Sequence, residues 1–429
     1  MHEDSETMTL RMPGYVSRVA EQAIEGALQR RGGVLIEGAR GCGKTWAARR
    51  FARSEARLDD PATLLLAQAD PQTVLQGAIP RLLDEWQNAP SLWNLVRREC
   101  DDRAGPGQFI LTGSASPQDD TTRHTGVGRI SRVLMRPMSL VEIGYSSGSV
   151  SLSSLFEGHT ASALPRTDVG LRDIAGFTCV GGWPGSLHLD EDQSRWAVGD
   201  YLNEIVRLDI PLVSGIQHHP AAVRRLLRSL ARHVATEAKV TKLASDAGGD
   251  RPLGRHAVTS YLDALDRIFV TEDQPAWSVG LRSRATLRKA PKRHFVDPSL
   301  AASMLRASPQ RLLADPRTFG FLFESLVVRD LRVYSQPERA EVFHYRDETG
   351  LEIDAIIERE DGGWIAVEVK LSPAPEVVDR AVRSLLRLRK KVAKNRVGQL
   401  ATMMVVTSTG PAYRRPDGVQ VTPITALGP

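Results

Sequence analysis

The chain has 429 residues, a net charge of +5, and 41% hydrophobic and 25% charged residues. That is too long for one hydrophobic core and predicts two to four globular domains. No run of 18 apolar residues exists to cross a bilayer, and the acidic start Met1-His2-Glu3-Asp4-Ser5-Glu6 is no secretory leader. Cys42, Cys100 and Cys179 have neither metal nor disulfide spacing, so a cytoplasmic location without membrane contact is expected.

Residues 10–30 read as a lead-in that ends in a helix near Gln29-Arg30-Arg31. Val34-Leu35-Ile36 then predicts a strand running into the turn Gly38-Ala39-Arg40-Gly41-Cys42-Gly43 and a helix opened by Lys44-Thr45. Gly-x(4)-Gly-Lys-Thr between a strand and a helix is the phosphate-loop pattern. Its glycines let successive amides curl around an oxyanion at a helix amino end. Lys44 would reach the β- and γ-phosphates, and the Thr45 hydroxyl would hold Mg²⁺. No Asn-Lys-x-Asp guanine motif occurs, so ATP is the expected nucleotide.

Asp59-Asp60-Pro61 breaks the chain before Leu64-Leu65-Leu66-Ala67. Ile79 to Glu85 is the candidate for the second nucleotide strand, although Pro80 and Arg81 interrupt it. Asp84 would serve the Mg²⁺ shell and Glu85 would polarise the attacking water. Phe109-Ile110-Leu111 predicts a further parallel strand, after which Ser114, or Thr112, would bond the γ-phosphate or the lytic water. Arg129 or Arg132 would sense phosphate, in the same subunit or across an interface between copies. Gly144–Pro165 reads as a linker, and 176–209 as helical without visible chemistry.

From Ala221 to Leu300 there are 15 Lys and Arg against 8 Asp and Glu. Three helices within 222–265, followed by Ile268-Phe269-Val270 and Ala276-Trp277-Ser278-Val279 as a two-stranded wing, suggest a winged helix. Its third helix would present Arg255, His256, Ser260 and Tyr261 to a major groove. The same module serves equally as a spacer or a dimer contact.

In the last hundred residues, Phe319–Val328 is an apolar helix carrying Glu324, and Leu351–Ile357 is a strand carrying Asp354. Asp361-Gly362-Gly363 turns the chain into the partner strand Trp364–Lys370, where period two sets Glu368 and Lys370 on one face. Asp354 and Glu368, with the Val369 carbonyl and Glu324, would clamp Mg²⁺ while Lys370 orients water at a scissile phosphate. A purely structural charge pair has the same pattern. The stretch Glu376–Arg396 holds 8 basic and 2 acidic residues, which suits a phosphate backbone. Met403–Thr407 is one more buried strand, before a Pro- and Gly-rich tail.

Taken in order, Gly38–Thr45, Leu83-Asp84-Glu85-Trp86-Gln87, Leu111-Thr112-Gly113-Ser114, Pro137-Met138-Ser139-Leu140, Gly181-Gly182-Trp183-Pro184, Ile353-Asp354 and Val367-Glu368-Val369-Lys370 carry a resemblance. The chain resembles prokaryotic AAA-like ATPases with a carboxy-terminal domain of unknown function numbered 4143. The resemblance implies an α/β protein in four parts. These are a P-loop AAA-type ATPase domain (1–150), a helical subdomain (151–215), a winged helix (216–295) and a PD-(D/E)xK nuclease-like domain (296–429). It places Lys44 and Thr45 in the phosphate loop, Asp84 and Glu85 in the second acidic motif and Ser114 at the sensor position. Glu324, Asp354, Glu368 and Lys370 fall at nuclease-motif positions. The expected protein is an ATPase that uses Mg²⁺ and couples nucleotide state to DNA contact, as a possible homo-oligomer. The alternative is a signalling or scaffold ATPase whose distal domains bind protein partners or self-assemble.

Overall fold

The computed structural model describes residues 14–103, 105–115, 126–159, 168–210, 219–248, 253–279, 290–392 and 394–429. They form two compact units. The first covers the described residues up to Arg136 with Arg267–Phe269, and the second Pro137–Asp266 with Val270–Pro429.

The first unit is built on five strands, β1 (Gly33–Glu37), β2 (Ser54–Arg57), β3 (Arg81–Asp84), β4 (Phe109–Gly113) and β5 (Ile130–Leu134), in the order β2-β3-β4-β1-β5. Every pairing is parallel. Val34, Leu35, Ile36, Leu82, Leu83, Ile110 and Leu111 are all buried, as a parallel sheet covered on both faces requires. Parallel strands bring the carboxyl ends of β1, β3 and β4 to one edge, where open α/β sheets bind ligands. The awkward Pro80-Arg81 pair lies at the start of β3. Pro80 stays outside the ladder and its carbonyl accepts the Arg53 N–H at 2.8 Å. Arg81 turns its guanidinium aside to the Val74 carbonyl at 2.6 Å.

In the second unit, β7 (Ala340–Arg346), β8 (Glu352–Arg359), β9 (Trp364–Lys370), β10 (Leu400–Thr407), β11 (Tyr413–Arg414) and β12 (Gln420–Pro423) form a sheet ordered β11-β12-β10-β9-β8-β7. The β8–β9 hairpin turns at Gly362, whose φ of 86° favours glycine. Helix Pro375–Lys391 buries Val378, Ala381, Val382, Leu385 and Leu388 in the same core as Ile353, Trp364 and Val405. Helix Pro316–Tyr334 starts on Asp315, whose carboxylate accepts the Thr318 N–H at 3.1 Å.

Three expectations change here. Gly144–Pro165 is no free linker over its described part. Val150–Ser151 (β6) pairs in parallel with Leu427–Gly428 (β13), and Ser146 donates to the Leu427 carbonyl at 2.6 Å. For the same reason the last residues are no tail, since Val419, Gln420, Thr422, Ile424 and Leu427 are fully buried. The wing does not pair 268–270 with 276–279. Antiparallel bridges instead join Thr271 to Phe295 and Gln274 to Lys292, while Ala276 bridges to His344 of β7. Trp277 is spent on that core, with its ring 4.8 Å from Trp364.

Helices Pro220–Arg232, Val240–Ala247 and Arg255–Arg267 stand where three helices are expected. On the third, Arg255 and His256 are exposed and Ser260 is half-buried. Tyr261 is buried beside Val258, Ala264 and Leu265, so it packs the core and presents nothing. At the centre of the unit, Arg329 lies between Asp297 at 2.8 Å and Asp330 at 2.6 Å, all three buried. Asp297 also accepts the Gly182 N–H at 3.0 Å, and Asp330 accepts the Leu140 N–H at 3.2 Å.

Candidate functional site

The phosphate loop leaves β1 at Glu37 and closes on Gly43, in the left-handed region at φ 100°, before helix Lys44–Arg49 begins. Gly38 has no room for a side chain, because a Cβ would lie 2.0 Å from the Met135 carbonyl oxygen. Cys42 is a buried filler whose thiol faces that carbonyl at 3.3 Å. Ala39 is buried, while Arg40 and Gly41 are exposed. Lys44 donates to the carbonyls of Gly38 at 3.0 Å and Ala39 at 2.9 Å.

Thr45 and Asp84 meet across the strand edge, Oγ1 to Oδ1 at 2.8 Å. The same carboxylate oxygen accepts the Thr112 hydroxyl. Glu85 has left the strand, with φ at 53°, and its carboxylate faces the Ser114 hydroxyl at 3.4 Å and the Gln87 amide. Six expected residues, Lys44, Thr45, Asp84, Glu85, Thr112 and Ser114, thus converge on one sheet edge. Gln87 joins them; it sits two residues after the acidic pair, and only its position hints at it. A hydroxyl and a carboxylate side by side are the hard oxygen donors that Mg²⁺ takes, so the donor set fits that ion.

Arg129 does not belong to this group. Gly33 pairs with Ile130, so Arg129 precedes β5 at the amino edge of the sheet, and it bonds Asp101 at 2.8 Å. Strand rise places it roughly 15 Å from the loop. Arg132 lies further along β5 and bonds Glu37 at 2.9 Å, on the strand that carries the loop.

The second unit gathers the other expected residues. Lys370 on β9 bonds Asp354 on β8 at 3.0 Å and Glu368 at 2.6 Å. Val369 contributes its N–H, 2.8 Å from Asp354, where its carbonyl was expected. Glu324 approaches from its helix, and the structure adds Lys292, 2.6 Å from Glu324 and 3.6 Å from Asp354. Burial pushes Glu324 up to about 7, against the pull of Lys292. Burial and the neighbouring Asp354 push Glu368 up to about 8, against the pull of Lys370. Asp354 goes the other way: burial raises it, but the two lysines outweigh that and hold it at about 2. Three carboxylates facing two ammonium groups leave one negative charge in excess, and burial disfavours that charge, which is why Glu324 and Glu368 are both raised.

This cluster does not fit the Mg²⁺ that the resemblance implies. Each carboxylate already meets an ammonium group. Among the described residues, no group of three or more His, Cys, Asp or Glu side chains is arranged to hold a metal ion.

Residues 30–144 match the family described as AAA domain, on an α/β unit with a parallel sheet. That homology supports ATP binding and hydrolysis. Residues 319–427 match the domain of unknown function DUF4143, and 171–311 match DUF8612. The chain therefore combines an AAA-type ATPase domain with a C-terminal DUF4143 domain. It is 26% identical over 378 residues to the uncharacterized protein Rv2008c of Mycobacterium tuberculosis (strain ATCC 25618 / H37Rv), covering 86% of this chain and 77% of that one. The uncharacterized protein Mb2031c of Mycobacterium bovis matches with the same figures. Among solved structures, the Walker-type ATPase PABY2304 of Pyrococcus abyssi aligns with TM-score 0.41 and 14% identity, over 70% of this chain and 99% of that one. No helix of the described residues is long and apolar enough to cross a membrane.

Proposed function

We propose that this chain is a Mg²⁺-dependent ATPase whose nucleotide state governs contact between its second unit and duplex DNA. The ATPase reading rests on the Thr45–Asp84 pair, which stands beside Lys44 at the mouth of the loop. Lys44 would exchange its carbonyl partners for β- and γ-phosphate oxygens. Thr45 and Asp84 would hold Mg²⁺, which neutralises charge on the phosphates when it is bound. Glu85, set by Ser114 and Gln87, would take the proton of the attacking water.

The DNA reading rests on a stripe of charge. Arg380, Arg383 and Arg387 stand exposed on helix Pro375–Lys391, opposite its buried apolar face. Spacings of three and four residues line them along one side. Arg255 and His256 add a second exposed basic point on helix Arg255–Arg267. Such surfaces neutralise phosphates and release counterions.

Fluorescence anisotropy of a labelled duplex, with ATP, with ADP and without nucleotide, tests the reading. Affinity should differ between nucleotide states. Its logarithm should fall with the logarithm of salt at a slope of roughly −0.9 per phosphate contacted. The double variant Arg383→Ala, Arg387→Ala should lower that slope. No duplex binding at low salt in any state, together with a nucleotide-dependent change of mass by light scattering, would favour the scaffold alternative.

A further inference from the structure

Lys292 stands against two of the acids to which the resemblance assigns a metal. We infer that Lys292 is a built-in cation which makes the Glu324–Asp354–Glu368–Lys370 cluster a closed, metal-free clasp. The inference concerns the second unit alone and stands independently of the DNA reading.

The geometry assigns each charge a partner. Lys292 Nζ lies 2.6 Å from Glu324 Oε1 and 3.6 Å from Asp354 Oδ1, the two acids that a helix and β8 contribute. Lys370 Nζ joins the other oxygen of Asp354, at 3.0 Å, to Glu368 at 2.6 Å. Both oxygens of Asp354 therefore already face cations, and its Oδ2 accepts the Val369 N–H as well. Mg²⁺ bound to Glu324 and Asp354 would need oxygens at about 2.0–2.1 Å. It would then share its position with an ammonium group, against direct repulsion.

Lys292 is also aimed by its backbone. Its N–H donates to the Gln274 carbonyl at 3.0 Å, and its carbonyl accepts the Gln274 N–H at 2.9 Å. The Gln274 amide then donates to the backbone carbonyls of Asp354 at 3.1 Å and Phe343 at 2.9 Å. The segment carrying Lys292 is thus fastened to β7 and β8 through Gln274. With 7% of that side chain exposed, the ammonium group has no solvated alternative nearby. The clasp ties this segment, helix Pro316–Tyr334 and the β8–β9 hairpin together through charge, where an active nuclease would tie metal and substrate.

Calorimetric titration of the nucleotide-free full chain with Mn²⁺ is the test. The wild type should show no Mn²⁺ uptake that Asp354→Asn removes; any uptake that survives Asp354→Asn belongs to the phosphate loop. Lys292→Met should gain one site, binding Mn²⁺ at least tenfold more tightly than the wild type, and the added change Glu324→Gln should abolish it. Wild-type uptake lost in Asp354→Asn would overturn the inference. So would duplex cleavage by the wild type with Mg²⁺ that Asp354→Asn abolishes, or a folded Lys292→Met that gains no site. The wild-type titration and the cleavage assay decide the matter if Lys292→Met does not fold.

Discussion

Both units set lysine among acids, and the two arrangements have opposite consequences. In the first, Lys44 rests on the neutral carbonyls of Gly38 and Ala39, while Asp84 and Glu85 are held by hydroxyl and amide groups. A triphosphate offers that amine a stronger, charged acceptor, so the resting bonds yield. In the second, Lys292 and Lys370 already have carboxylate partners within a buried cluster. What frees a lysine for chemistry is the charge of its resting partner.

The largest effects should separate the two. Lys44→Ala should lower ATP turnover on the order of 10²–10³-fold, the loss typical when a preorganised electrostatic donor is removed. Its unfolding midpoint should stay near that of the parent. Lys370→Ala should do the reverse. Stripping one partner from a buried ion pair costs about 3–5 kcal/mol, so denaturant unfolding of the second unit should shift while turnover of the folded protein persists. Equal turnover in Lys44→Ala and the parent would break the comparison at its first term.

A narrower test lies within the first site. Glu85→Gln keeps the shape and the contacts to Ser114 and Gln87 but removes the base. Nucleotide binding should be retained while hydrolysis slows by about 10²-fold or more, measured as phosphate release under saturating ATP. A parallel loss of binding would mean that Glu85 shapes the loop instead of activating water.

The first site was legible because its chemistry is local: eight consecutive residues specify the loop, and Asp84-Glu85 ends a short apolar run. The place of Arg129 could not be read, because its number says nothing about which end of β5 it adjoins; the parallel register Gly33 to Ile130 decides that. Lys292 could not be found, since it stands 32 residues before Glu324 and reaches it only through the bridge to Gln274. Gly181-Gly182-Trp183 showed no chemistry, and the structure explains its presence by packing. A Cβ on Gly182 would lie 1.9 Å from the Met138 carbonyl oxygen, and Trp183 donates to Ser299 at 3.0 Å. Likewise the pairing of 150–151 with 427–428 joins residues too distant for any local pattern to announce.

The smallest expected effect tests whether the second unit is closed to protons as well as to metal. His294 is fully enclosed beside the clasp, with Nδ1 3.1 Å from the Ser325 hydroxyl and Nε2 3.3 Å from the Gln274 side-chain oxygen. Burial lowers its pKa well below the ordinary histidine range, and Arg332, Lys292 and His344 lower it further. Unfolding releases the ring to an ordinary pKa near 6.5, so below that pH the unfolded chain binds a proton that the folded chain refuses. Stability is therefore full above about pH 6.5 and falls as the solution is acidified, by at most about 1.4 kcal/mol per pH unit for this one group. Ring resonances in the folded protein should show His294 neutral through pH 6. A His294 ring that took up its proton above pH 6 in the folded protein would mean that water and protons reach the Gln274 bridge, and that the clasp is open.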